Sequence, residues 1–504
     1  MLKKITDTIA NMIKEKPLIG WMVFGVAMGG VFLLGILAAT ITERRAEVAS
    51  IFNNVKVQIT GINPHNEQWG ENYPREYETW AKTANMDFQS KHLGNKPEDV
   101  LASRPEMVIL WAGYAFSRDY SAPRGHFYTI EDMRATLRVG TPENGEGDLQ
   151  PATCWTCKSP DVPRMMKEMG VADFYKAKWS ALGAEVVNPL GCADCHDPET
   201  MNLTITRPAL IEAFQRQGKD ISKATNQEMR SLVCAQCHVE YYFKDVDGQP
   251  TKYLTFPWDE GMDLEAMEAY YEKAGFKDWV HALSKAPMLK AQHPDYELFL
   301  VGTHGQRGLS CADCHMPYIS EGGIKYSNHQ IMSPLSNIAS TCQTCHRDTE
   351  ENLRQYVYER QDKALEIRDR VEAELAKAHI MAKTAWDAGA QDGEMSEVLK
   401  LLRSSQWAWD LAVASHGGSF HAPVETQRIL AHSLDKALRA QLALQKVLWN
   451  HGQTGDFIMP DISTKALAQA YIGLDMADLQ GKKDQWLKTV VPQWIAAAEA
   501  NGRL

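Results

Sequence analysis

Every cysteine in this chain belongs to a Cys-x-x-Cys pair, and one of the five pairs is followed by a different residue from the rest. The pairs are Cys154–Cys157, Cys192–Cys195, Cys234–Cys237, Cys311–Cys314 and Cys342–Cys345. Four run directly into His196, His238, His315 and His346, whereas the first runs into Lys158. Cys-x-x-Cys-His is the attachment signature of a c-type haem: the thiols bond to the vinyl groups, and the next residue lies beneath the iron. Structural zinc also uses Cys-x-x-Cys, but it pairs two knuckles at short spacing and needs no His after each second cysteine. Disulfides between cysteines this close are redox-active and rare as a set of five. Four matches and a variant, with no cysteine left over, predict five covalent haems. Such groups would supply much of the core. The fold class expected is therefore mainly α, a multihaem cytochrome c fold with long C-terminal helices.

The remaining composition narrows the setting. The 504 residues could form several ordinary domains, but five haems favour one continuous haem-packed body. A net charge of −11 argues against a nucleic-acid partner. Lys3, Lys4, Lys14 and Lys16 precede an uncharged apolar run from Pro17 to Ala39, closed by Glu43, Arg44 and Arg45. The run is long enough to span a bilayer, and the basic residues before it place the N-terminus inside and the body outside. It reads as an uncleaved anchor. The alternative is a cleaved signal peptide, for which Ala38-Ala39 is an imperfect site. Either way the body is exported, which suits attachment of haem to thiols outside the cytoplasm.

Three regions are expected. Residues 1–45 form the anchor or signal, and 46–347 form the haem-binding catalytic region. Within it, 46–150 carries no haem motif and is rich in aromatic and turn residues. Residues 348–504 are helical. Leu353, Val357, Ala364, Ile367, Val371 and Leu375 recur at helical spacing, a second run spans Glu394 to Val413, and a third spans Val424 to Trp449. Gly389, Gly393 and Gly417-Gly418 read as breaks. These helices are expected to pack over haems and to mediate dimerisation.

Lys158 separates a wire from an enzyme. A haem with two His ligands is coordinatively full, whereas substrate chemistry needs an open position. An amine can ligate iron only when neutral, which metal and burial both favour. The plain alternative is that Lys158 is a solvated neighbour of a haem ligated by something else.

With Cys154-Trp-Thr-Cys157-Lys158 first and four Cys-x-x-Cys-His motifs after it, the chain resembles the pentahaem cytochrome c nitrite reductases, which reduce nitrite to ammonia. Further matching segments are Cys237-His238-Val239-Glu240-Tyr241-Tyr242-Phe243, Lys290-Ala291-Gln292-His293-Pro294, Arg138 in Ala135-Thr-Leu-Arg138, and Pro460-Asp-Ile-Ser-Thr-Lys465. The long anchor departs from many relatives, which look like soluble periplasmic proteins.

The resemblance implies roles for these residues. Arg138 would hold the nitrite anion, His293 would hydrogen-bond a nitrite oxygen and help deliver protons, and Tyr241 would position intermediates, all above the Lys158 haem. Calcium would be held by the Glu240 carboxylate, the Gln292 side-chain oxygen and the backbone carbonyls of Tyr241 and Lys290. An all-oxygen set of this kind suits that ion. His329, His126, His421 and His304 would cap the second, third, fourth and fifth haems, with His416 the rival of His421. The expected donor is a membrane quinol-oxidising multihaem cytochrome, the expected assembly a homodimer, and the expected location the periplasmic side of the cytoplasmic membrane. Two other functions fit the same motifs: a hydroxylamine or sulfite reductase of the same family, and a multihaem electron carrier with no substrate.

Overall fold

The computed structural model describes residues 14–52, 55–92, 94–143, 146–246 and 249–504. The chain divides into two compact units, Met1–Gln58 and Ile59–Leu504. The first is dominated by helix α1 (Pro17–Phe52). Its Pro17–Arg45 stretch, with mean hydropathy 2.3, is long and apolar enough to cross a membrane. Apolar side chains such as Trp21, Phe24, Leu33 and Leu34 are exposed along it. A signal sequence would look the same. Lys3 and Lys4 lie outside the described residues.

The second unit is mainly helical, as its sequence periodicity predicts. Its C-terminal part contains α2 (Glu350–Asp387), α3 (Asp392–Ala414), α4 (Pro423–Asn450) and α5 (Met476–Ala500). Thr349 caps α2 by accepting from the Asn352 N–H, and Glu350 and Glu351 suit the positive end of that helix. Leu353, Val357, Ala364, Val371 and Leu375 are buried along one stripe, the face the spacing predicts. Helix α4 packs against both α2 and α3. Gly389 falls between helices, and Gly417 precedes the short helix Gly418–His421, which Gly418 opens. Gly393 does not: it sits in the first turn of α3, where Gln391 and Glu394 form a capping box around it. Helix α5 carries Pro492 in its interior and lacks a simple apolar stripe, so sequence spacing does not announce it.

Helix α3 is the central rod. Gln406, Trp407, Ala408, Trp409, Asp410 and Leu411 are buried in succession, so this stretch has no solvent face. Its polar members are paired as buried polar groups must be. Gln406 donates to the Leu110 carbonyl at 2.6 Å, and Asp410 accepts from Lys290 Nζ at 2.8 Å.

Between residues 59 and 347 the elements are short. Sheet structure among the described residues is limited to three antiparallel hairpins: Tyr242–Val246 with Gln249–Thr255, Trp279–Val280 with Pro287–Met288, and Tyr318–Glu321 with Ile324–Ser327. Fully buried Trp111, Trp155, Trp179, Trp258, Trp407 and Trp409 fill the core around the cysteine motifs. Two motifs are single helical turns, Cys192–Cys195 and Cys311–His315. Each is closed by the Asp inside the motif: Asp194 accepts from the Gly191 N–H at 2.8 Å, and Asp313 accepts from the Ser310 N–H at 2.7 Å.

Candidate active site

The ten thiols are free of disulfides, and neighbouring motifs touch through them. Cys157 lies within electrostatic reach of Cys237, and Cys234 of Cys311. Cys195 lies within the same reach of Cys237, and Cys314 of Cys342. The spatial series is therefore first, third, fourth, fifth, with the second branching from the third. Chain order does not reveal this series.

Histidines face one another across three of the motifs. His196 and His329 have ring centres 6.2 Å apart, His315 and His421 6.1 Å, and His304 and His346 6.2 Å. Two imidazoles bound to opposite sides of one metal at about 2 Å would have centres roughly 6 Å apart. The outer ring nitrogens agree. Nδ1 of His196, His315 and His329 lies 2.9, 3.0 and 2.9 Å from the carbonyls of Met201, Met332 and Ser327. Holding Nδ1–H in this way leaves Nε2 free to face inward as a neutral donor. Burial lowers His329 and His421 to about 4, which favours that neutral form. The donor set fits a bis-imidazole haem. Gly417 makes room for it, since a Cβ there would come within 2.3 Å of the His421 ring.

His126 lies within electrostatic reach of His238 and Lys158, and burial lowers it to about 4. His238 also faces His293, with ring centres 6.4 Å apart. At the fourth motif His421 faces His315 with ring centres 6.1 Å apart, while His416 stands edge-on to His293 at 6.1 Å.

The first motif is built differently. The Lys158 carbonyl accepts from the Thr129 hydroxyl at 2.8 Å. Fully buried Arg207 braces the turn, donating to the Thr156 carbonyl at 2.9 Å and the Ser159 carbonyl at 2.7 Å. Arg138, Tyr241 and His293 converge on this motif. The charge of Arg138 acts on Cys154 together with that of Lys158. Burial first, then Cys157 and Cys154, pushes the Tyr241 phenol well above its ordinary value. Burial first, then His416, Lys158 and His238, pushes His293 well below 6.5, so its ring is neutral. Arg138 is oriented by its Nε–H, which donates to Thr136 Oγ1 at 3.1 Å, and by the Phe116 ring, 4.5 Å from its guanidinium carbon. Phe116 stacks on Tyr114, and Tyr114 stacks on Trp279. Sequence reading missed this aromatic wall and Arg207. The clustering of aromatics before residue 150 was its signal.

Beside the site lies a buried carboxylate. Glu240 is fully buried; its Oε1 accepts from the Tyr271 hydroxyl at 2.8 Å and its Oε2 from the Gln292 N–H at 2.6 Å. The Gln292 side-chain amide touches the Lys290 carbonyl at 3.2 Å. Glu240, Lys290 and Gln292 thus meet at one point, with Tyr241 next in the chain. Burial pushes the Glu240 carboxyl well above its ordinary value, against the opposing hydrogen bonds and the Lys290 ammonium, which itself pairs with Asp410. A buried carboxylate with the Lys290 carbonyl and the Gln292 side-chain amide close by supplies the oxygen donors that a hard cation such as calcium takes.

Paired thiols, imidazoles spaced for a metal between them, and one lysine motif set apart define a multihaem c-type cytochrome. The chain belongs to the cytochrome c552 family, whose profile matches residues 65–502. Cytochrome c-552 of Parabacteroides distasonis is 64% identical over 491 residues, covering 97% of this chain and 99% of that protein. Cytochrome c-552 of Porphyromonas gingivalis is 60% identical over 492 residues, covering 97% and 98%. The catalytic subunit of cytochrome c nitrite reductase from Desulfovibrio desulfuricans, described with two calcium sites, matches with a TM-score of 0.74. It is 31% identical, over 84% of this chain and 91% of that one.

Proposed function

We propose that this chain reduces nitrite to ammonia, released as ammonium, taking up six electrons and eight protons per nitrite and releasing two waters. One observation carries the reading: the motif that lacks a histidine is the one on which Arg138, Tyr241 and His293 converge. When bound, five haems would supply the electrons and the iron that holds the nitrite nitrogen.

The side chains do the rest. Arg138 attracts the anion and offers donors to its oxygens. His293 hydrogen-bonds an oxygen and passes protons toward the departing water. Tyr241 keeps its phenolic proton and donates to intermediates. Lys158 would supply its amine as the protein ligand of the first haem. His196 with His329, His238 with His126, His315 with His421, and His346 with His304 complete the four carrier haems. Glu240, Gln292 and the carbonyls of Tyr241 and Lys290 would hold calcium, and Tyr241 and His293 would be positioned by their neighbours in that set.

The apolar α1 supports a location on the periplasmic side of the cytoplasmic membrane, where a membrane quinol-oxidising multihaem cytochrome would be the donor. Exposed Leu442 and Trp449 on α4 support a homodimer built on the C-terminal helices. The test is stoichiometric. Purified holoenzyme with a reduced viologen dye should form one ammonium per nitrite and consume six electrons. Turnover on sulfite but not nitrite, or on neither, would overturn the reading.

A further inference from the structure

The C-terminal helix α5 plays no part in the chemistry above, yet it contacts both halves of the site. Lys483 is only 1% exposed, and its Nζ donates to the Gly140 carbonyl at 2.8 Å. Trp486 is 2% exposed and donates its indole N–H to the Pro142 carbonyl at 2.8 Å. The Lys483 ammonium lies 4.4 Å from the centre of the Trp486 ring, so the two act as one unit. The carbonyls they hold follow immediately on the short turn Leu137–Val139, which carries Arg138. Gly140 itself has φ +70°, a left-handed conformation that lets the chain leave this turn sharply. The other end of the turn is tied by Asp119, whose carboxylate accepts from the Leu137 N–H at 3.1 Å.

The same helix reaches the first motif. Trp486 and Trp494 are edge-on at 5.3 Å, and both lean on Trp179. Trp179 stacks flat on Trp155, with ring centres 4.7 Å apart and planes 9° apart. Trp155 stands between Cys154 and Cys157. An apolar side chain would fill the Lys483 position at less cost than an ammonium, because burying a charge with few partners is unfavourable. Burial lowers Lys483 to about 7, and Asp119 acts against that fall. What the ammonium adds over a methyl group is directional hold on a carbonyl.

We propose that Lys483 and Trp486 are positioning residues for Arg138. Through the Gly140 and Pro142 carbonyls they set where the guanidinium meets the substrate anion. This rests on the assignment of Arg138 as the anion-holding group. Their effect should therefore fall on a charged substrate and spare a neutral one.

The experiment compares nitrite with hydroxylamine on the holoenzyme, as KM and kcat for the wild type, Lys483→Met, Lys483→Gln and Trp486→Phe. Lys483→Met keeps the chain length and loses the donor. Its KM for nitrite should rise about tenfold, the scale of one charge-assisted hydrogen bond, while kcat and the KM for hydroxylamine stay within about twofold. Lys483→Gln keeps an N–H donor and should recover part of the loss. Trp486→Phe keeps the ring stack, loses its N–H and should shift the nitrite KM in the same direction by less. An unchanged nitrite KM in both Lys483→Met and Trp486→Phe overturns the inference. So does an equal rise for nitrite and hydroxylamine, which would mean general loosening. Should Lys483→Met yield no holoenzyme, Trp486→Phe decides. A wild type inactive on both substrates overturns the assignment of the site itself, a result distinct from the others.

Discussion

The first cysteine motif and the four that follow use the same covalent chemistry and are surrounded in opposite ways. Around His196, His315 and His346 a second imidazole faces the first at the spacing of a shared metal. Around Lys158 the neighbours are instead Arg138, the Tyr241 phenol and the His293 imidazole, and His293 also faces His238 at 6.4 Å. On the proposed function, the carriers would be closed by symmetry and the reactive centre opened by breaking it. A third arrangement marks the limit of the comparison. His281 and His379 stack at 3.9 Å with planes 19° apart, leaving no room for a metal between them. His379 instead meets Ser284 Oγ at 2.9 Å and Gln406 Oε1 at 2.8 Å. Proximity of histidines is therefore uninformative without the spacing.

The most severe way to break the contrast is Lys158→His, which gives the first motif the residue of the others. Haem should attach and nitrite should bind, but turnover should fall by about a hundredfold or more, because the axial donor changes beneath the reacting iron. Wild-type turnover in that variant would end the special role of Lys158. Removing the cation behind the site comes next. Glu240→Ala should lower nitrite turnover roughly tenfold, within the range for outer-sphere partners of metal sites. All five haems should stay attached. Full activity, with no calcium in the metal analysis of the wild type, would refute the site.

Opening a carrier should matter less. His329→Ala should create a second high-spin haem by magnetic spectroscopy while nitrite turnover falls only a few-fold, since no arginine or phenol waits there. A second nitrite-reducing centre at that haem would show that an open iron suffices and that the residues around Lys158 do not.

The last effect leaves nitrite turnover alone and concerns the stability of the stacked pair. Burial lowers His281 from 6.5 to about 4 and His379 well below 6.5. Between those values the unfolded chain takes up protons that the folded chain refuses, so stability is full above about pH 6.5 and is lost as pH falls toward 4. For His281 the loss is on the order of 3 kcal/mol, at about 1.4 kcal/mol per pKa unit. Urea unfolding at pH 7 and pH 5 should show a smaller difference in His281→Gln than in the wild type. An equal difference would mean that other groups set the acid limit.

Much of this contrast was legible in the sequence because covalent attachment writes itself locally. Five spacings and one odd residue announce the haems and single out Lys158. The helices over 350–450 were legible because their burial is periodic. Distal partners are another matter. His329, His421 and His304 meet their motifs through folding across many residues, so nothing local names them; only the resemblance did. The thiol contacts that order the motifs in space, the aromatic wall behind Arg138 and the brace of Arg207 are purely tertiary. So is Lys483, which in sequence is one lysine of a Lys-Lys pair on an exposed-looking helix, and in space a buried donor.

The clamp from α5 also bears on how the enzyme comes into being. Arg138 and Lys158 belong to the first third of the chain, and Tyr241 and His293 to the middle. The residues that pin the Arg138 turn, Lys483 and Trp486, come after all four in the chain. Every attachment motif is therefore made before the helix that would hold the anion-binding arginine in place. On the proposed role of Lys483 and Trp486, haem attachment and the tethering of Arg138 are separate events, the second waiting on α5.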